Sequence, residues 1–308
     1  MQQILKNMAS KTGLFLRANW AYILWGVLHY LLALWVLAGV SSMEQSLQNT
    51  TVIYVISIAI AISPIGEFIM RSLERARPVE TRQDKDYLLP LFEEVYGEAM
   101  QRTPSLSKYI ELYITESKSI NAFAVGRKTV MLTRGAIDSL SPEELKGIMA
   151  HELGHLASGD GIARVITVVG NGLFSIIVLV CKIIMVVFGV IAALWSKRYV
   201  LSLIIGFIVH LLFSYSVTAF LFLGDLLIAL NNRYREYLAD DYAYQIGFGE
   251  QLKNTLYQIN ALDMGGKRSL KDWLKSSHPY TTARIARLEQ RLEREQGQQY
   301  QYQPIGPQ

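Results

Sequence analysis

The sequence predicts an α+β, mainly helical protein in which a domain with a small β-sheet is fused to four transmembrane helices. Three observations predict it. Of the 308 residues 51% are apolar and only 18% charged, whereas soluble domains carry about a quarter charged residues. Four apolar segments, Trp20–Val40, Thr51–Met70, Val165–Trp195 and Tyr199–Leu230, each reach the ~20 residues that cross a bilayer core. Two polar stretches remain, Arg71–Ala163 and Asn231–Gln296, and their patterns mix short strands with amphipathic helices. The chain therefore divides into residues 1–70 (two membrane helices), 71–163 (the first half of a polar domain), 164–230 (a membrane hairpin), 231–296 (the second half) and a Gln-, Pro- and Gly-rich tail, 297–308, expected to lack structure.

The first segment is too long and too aromatic for a cleavable signal's apolar core of roughly 7–15 residues, so it reads as a retained anchor. Lys6, Lys11 and Arg17 precede it, the loop Ser41–Asn49 has no Lys or Arg, and Arg71, Arg75, Arg77, Arg82 and Lys85 follow the second segment. Positive charge stays inside, which puts the N-terminus and the polar domain on the cytoplasmic side. Lys197 and Arg198 fall in a short external loop against this rule, beside the interface anchors Trp195 and Tyr199. The last two segments exceed a span's needs and are expected to tilt or run on as helix. The net charge of +4 is concentrated near membrane segments and calls for no nucleic-acid partner. The lone Cys181 excludes an internal disulfide. His29, Lys182 and His210, all in apolar segments, read as structural or snorkelling side chains.

In the first polar stretch Asp86–Met100 has helical apolar spacing, with Pro90 expected in its first turn. Tyr109–Ile114, Ile120–Val125 and Thr129–Leu132 read as strands, and Gly126-Arg127-Lys128 as a hairpin turn. A strongly signalled helix follows: Ser141 as N-cap, Pro142 in its first position and Glu144 completing a capping box. That helix carries His151-Glu152-Leu153-Gly154-His155. Residues four apart share a helical face, so His151 and His155 can bind one Zn²⁺ while Glu152 serves as general base toward water. The same five letters also occur on solvated helix faces that bind nothing, so a third ligand has to be found.

The second stretch holds candidate helices at Arg233–Gln245, Glu250–Asp263, Leu270–Lys275 and Thr281–Glu295. In the first of these Glu236 and Asp240 stand four apart. Glu236 would complete a His₂Glu site with one open position, and Asp240 could accept the other N–H of a ligating imidazole. The competing reading, a solvated acidic face, loses its force beside the histidine pair.

HELGH at His151–His155, Asp160, REYLADDYA at Arg235–Ala243, Asn121-Ala122-Phe123-Ala124, and Ser277-His278-Pro279 with Arg284 together resemble the HtpX-type membrane zinc metalloproteases, relatives of the CaaX prenyl endopeptidases of the Ste24 type. The resemblance implies a zincin-like (gluzincin) domain with one Zn²⁺ held by His151, His155 and Glu236, with Glu152 as base and Asp240 supporting the ligands. It also implies a substrate-binding strand at Asn121, Ala122, Phe123 and Ala124. His278, Arg284 and Arg235 are candidates for stabilising the oxyanion, with a surface imidazole as the alternative for His278. The expected function is a multi-pass protease of the bacterial plasma membrane whose substrates are proteins, above all damaged membrane proteins. A processing enzyme for lipidated proteins and a non-catalytic membrane scaffold are the alternatives. Four membrane segments are few for the enclosed chamber the former needs, and the intact constellation argues against the latter.

Overall fold

A computed structural model describes residues 15–38, 42–170, 199–263 and 281–301, with further single residues or short runs at 13, 172, 176, 180, 183–184 and 186–191. The described residues are mostly helical around one small mixed sheet. Helix α1 (Trp20–Ala38) corresponds to the first apolar segment. Helix α2 (Met43–Ile62) begins eight residues earlier than the second segment predicts, because the Ser42 hydroxyl accepts from Gln45 N–H and caps it. It also ends earlier. Ser63 and Pro64 interrupt the backbone ladder and start a separate helix, α3 (Pro64–Leu73), so the predicted span Thr51–Met70 is two helices. Helix α2 is long and apolar enough to cross a bilayer. The third segment is described only in part, and Cys181, Lys182, Trp195, Lys197 and Arg198 lie outside the described residues.

Strand β1 (Arg77–Pro78) pairs with β2 (Glu111–Thr115) and was missed because two residues carry no readable alternation. With β3 (Ala122–Val125) and β4 (Thr129–Thr133) they form a sheet in the order β1-β2-β4-β3. Strands β2 and β4 run parallel, Leu112 opposite Val130, whereas β3 and β4 form the predicted hairpin. Every residue of the central strand β4 is buried. Strand β3 is an edge.

Helix α4 (Arg82–Arg102) starts before the predicted Asp86, where Thr81 Oγ1 accepts from Asp84 N–H. Pro90 consequently sits in the helix interior rather than the first turn. Both Pro90 and Asp86, whose carbonyl the proline leaves without its helical donor, are exposed, so water replaces the missing bond. Leu88, Phe92, Val95 and Ala99 form the buried stripe of α4 and pack with Leu145, Met149 and Leu153 of the histidine helix.

After a short helix α5 (Arg134–Ser139), the histidine helix α6 (Pro142–Ser158) has the predicted cap: Ser141 and Glu144 close a reciprocal capping box, and Gly159 at φ 81° terminates the helix. A turn of helix, α7 (Asp160–Val165), leads into a π-helical turn at Ile166–Gly170. Helix α8 (Tyr199–Gln245) is continuous over 47 residues. It joins the fourth apolar segment to the polar helix predicted at Arg233–Gln245, so that segment runs on as helix. Helices α9 (Gly249–Asp263) and α10 (Thr281–Gln301) complete the polar domain. The predicted helix Leu270–Lys275 lies outside the described residues. Helix α10 corrects the tail: it continues to Gln301, since glutamine is a good helix former and adding residues to a helix already nucleated upstream is easier than starting one.

Candidate metal centre

The cap on α6 fixes where its faces point, and His151 and His155 follow on one face, buried against α8. Gly154 makes that approach close. A Cβ there would stand 2.9 Å from Ala239 Cα and 3.0 Å from Ala239 O, so the two helices meet backbone to backbone at this turn. Gly154→Val should therefore force α6 and α8 apart, costing about 1–3 kcal/mol and weakening metal retention. Thermal unfolding and bound-metal assays check this.

The approach brings Glu236 to both imidazoles. His151 Nε2 and His155 Nε2 are 3.1 Å apart. Glu236 Oε2 lies 3.4 Å from the former and Oε1 3.5 Å from the latter. Three donors at ~2.0–2.1 Å from one tetrahedral ion would stand roughly 3.3–3.4 Å apart, so the observed triangle fits zinc. No other group of three potential ligands gathers this way among the described residues.

The outer nitrogens are also engaged. His151 Nδ1 is 2.9 Å from Asp240 Oδ1, and His155 Nδ1 is 2.7 Å from Asp160 Oδ2. Each Nδ1–H donates to a carboxylate, which leaves each Nε2 lone pair facing Glu236 and a shared ion. Burial alone would lower the His155 pKa, yet the Asp160 and Glu236 carboxylates outweigh it and raise it to about 9. Protons therefore compete with a divalent cation for this site. Burial pushes Asp160 and Asp240 upward, but Arg235 and His155 for the first, and Arg284 and His151 for the second, hold both below the usual carboxylate range.

Two guanidiniums brace the carboxylates. Arg284 on α10 grips Asp240 through Nε (2.8 Å) and Nη2 (2.7 Å), and its Nη1 reaches Glu236 Oε2 at 2.7 Å. Arg235 Nε lies 3.2 Å from Asp160 Oδ2, and its Nη1 donates to the Tyr22 hydroxyl at 2.7 Å. Glu152, Asp160, Glu236 and Asp240 are all buried here with Arg235 and Arg284. Four carboxylates against two guanidiniums leave two negative charges, the complement of a divalent cation in a site where an unbalanced charge is costly.

The structure thus brings together His151, Glu152, His155, Glu236 and Asp240. Arg284, expected as an oxyanion donor, instead spends its donors on Asp240 and Glu236, whereas Arg235 pairs with Asp160 and donates through Nη1 to Tyr22 and Asn232. His278, with Ser277 and Pro279, lies outside the described residues. Asn121–Ala124 leads into and occupies the edge strand β3, which packs against α6. Two contributors were not recognised in the sequence. Asp160 entered only as part of a pattern; its signal was the helix stop at Gly159, which returns the next side chain to the preceding turn. Tyr22, in an apolar segment, gave no signal at all. His29 is buried and hydrogen-bonded through Nδ1 to Trp25 O.

The model of peptidase family M48 matches residues 86–292. A protease HtpX homolog of Halobacterium salinarum is 38% identical over 144 residues, covering 46% of this chain and 44% of that one. A protease HtpX homolog of Bacillus licheniformis is 28% identical over 211 residues, covering 62% and 66%. The chain thus matches less than two thirds of the length of either relative. The crystal structure of S. mikatae Ste24p superposes with a TM-score of 0.49 at 19% identity, covering 94% of this chain and 66% of that one, a likeness too loose to carry an argument.

Proposed function

Because the chain belongs to peptidase family M48, whose match takes in both halves of the metal centre, we propose that it is a membrane-integrated, zinc-dependent endopeptidase. The observation that carries this reading is the His151–His155–Glu236 triangle with Glu152 buried on the same helix. His151, His155 and Glu236 would hold the ion, which when bound would supply Lewis acidity toward a peptide carbonyl and toward water. Glu152 takes the proton of the attacking water as the oxygen bonds to the carbonyl carbon. As the C–N bond breaks, the same carboxyl returns that proton to the departing amine. Asp240 and Asp160 hold the imidazole tautomers throughout, and Arg284 and Arg235 keep those carboxylates charged and oriented.

Strand β3, last in the sheet order, suits a peptide that adds as a further strand, with backbone bonds giving affinity and little sequence preference. Residues 71–163 and 231–296 form the two halves of the catalytic domain around the hairpin 164–230, and four spans anchor it with the site on the cytoplasmic side. Helix α8 supports the placement at the membrane: Glu236 follows the end of the apolar run at Leu230 by six residues of the same helix, ~9 Å along its axis. Substrates are then damaged or misassembled membrane proteins presented at that surface.

Purified chain in detergent should cleave an unfolded protein such as casein. Cleavage should stop with a zinc chelator and return with added Zn²⁺; cleavage indifferent to the chelator would contradict the proposal. Asp240→Ala should lower metal affinity about 10–100-fold, measured by competition with a chromogenic chelator.

A further inference from the structure

A cavity of about 430 Å³ lies between α1, α2 and the α7–π-helical turn, within the roughly 300–1,000 Å³ of small-molecule sites. Its walls are almost wholly apolar. Ile23, Val27, Val55 and Ile58 line it while remaining 40–61% exposed, so it opens sideways onto the apolar surface of these helices rather than being sealed. Two polar groups break the pattern. Asn19, fully buried at the start of α1, lines the cavity and has its Oδ1 without a partner among the described residues; the Tyr54 hydroxyl, also lining it, is buried and equally unpartnered there. Buried polar atoms rarely stay unpaired. Tyr22 lines the same cavity while accepting from Arg235, so the cavity borders the support of His155.

We propose that this cavity binds one acyl chain of a membrane phospholipid whose headgroup carries an O–H or N–H donor. The reading rests on α1 and α2 lying in a bilayer. There the lateral opening faces acyl chains, and Asn19, immediately before the first residue of α1, sits where a headgroup donor can satisfy Oδ1.

The cavity can be filled without disturbing the fold. A Cβ on Gly26, which lines it, meets nothing within 4 Å, and the same holds for Gly206 on the exposed face of α8, away from the cavity. The full chain is reconstituted in vesicles containing phosphatidylethanolamine with a photoactivatable diazirine in its acyl chain, and labelled residues are mapped by mass spectrometry. Labelling of Tyr22–Tyr30 and Tyr54–Ile58 should fall by about tenfold or more in Gly26→Leu, as the added side chain occupies the cavity, and should be unchanged in Gly206→Leu. The same diazirine on phosphatidylcholine, which offers no donor, should label the cavity several-fold less. Cavity labelling unaffected by Gly26→Leu, or equal for the two headgroups, would overturn the proposal while labelling of Phe207 and Leu212 on α8 still showed the chain in the bilayer. Loss of label at Phe207 and Leu212 as well would overturn the membrane reading with it.

Discussion

Glu152→Gln is expected to keep its metal and lose peptide hydrolysis by about 10²- to 10⁴-fold, the range that a positioned general base contributes. Glutamine matches glutamate in volume, so the packing of α6 against α8, set by Gly154 and Ala239, is undisturbed. Glu152 is not part of the ligand triangle, so the triangle should load normally. What the amide lacks is basicity: it cannot take the proton of the attacking water nor return it to the amine. The check is single-turnover cleavage of an unfolded substrate alongside bound-metal assay. Full activity with the amide would assign the proton transfer to another group, and loss of metal together with activity would make Glu152 a structural residue.

Arg284→Leu should destabilise the protein by about 3–5 kcal/mol, the usual cost of removing one partner of a buried ion pair. The guanidinium is 2% exposed and touches Asp240 and Glu236 at hydrogen-bond distance. Without it Asp240 is left buried with only His151 beside it, and Glu236 depends wholly on the ion. Metal affinity should fall with stability, and excess Zn²⁺ should recover part of the loss because ligand binding favours the folded state. Arg284→Lys should recover less than the charge alone suggests, since an ammonium cannot bridge two carboxylates through a planar fork. Thermal unfolding in detergent with and without Zn²⁺ reads both effects. A variant as stable as the parent would show that Arg284 does not brace the centre.

Where the determinants were local, the sequence was readable. Ser141, Pro142, Glu144 and Gly159 lie within or beside α6 and set its ends through their own backbone contacts. Glu236 and Asp240 were legible because one helix carries both, and the spacing of four is the spacing of one face. Where the determinants were contacts across the chain, it was not. Arg284 grips Asp240 from 44 residues away and Tyr22 meets Arg235 from 213 residues away, so an arginine's choice between a substrate oxyanion and a protein carboxylate could not be read from spacing. The break at Ser63-Pro64 was outweighed by the apolar run on both sides, although proline signals it locally. Strand β1 is held by pairing to β2 rather than by its own pattern.

The divided metal centre is tested most directly by metal content and X-ray absorption of the purified chain, parent against Glu236→Ala. One zinc per chain with two imidazoles and a carboxylate oxygen is expected in the parent, and the variant should lose most of its metal on dialysis. Full zinc occupancy in Glu236→Ala, or a parent that holds no stoichiometric metal, would contradict a centre assembled from α6 and α8.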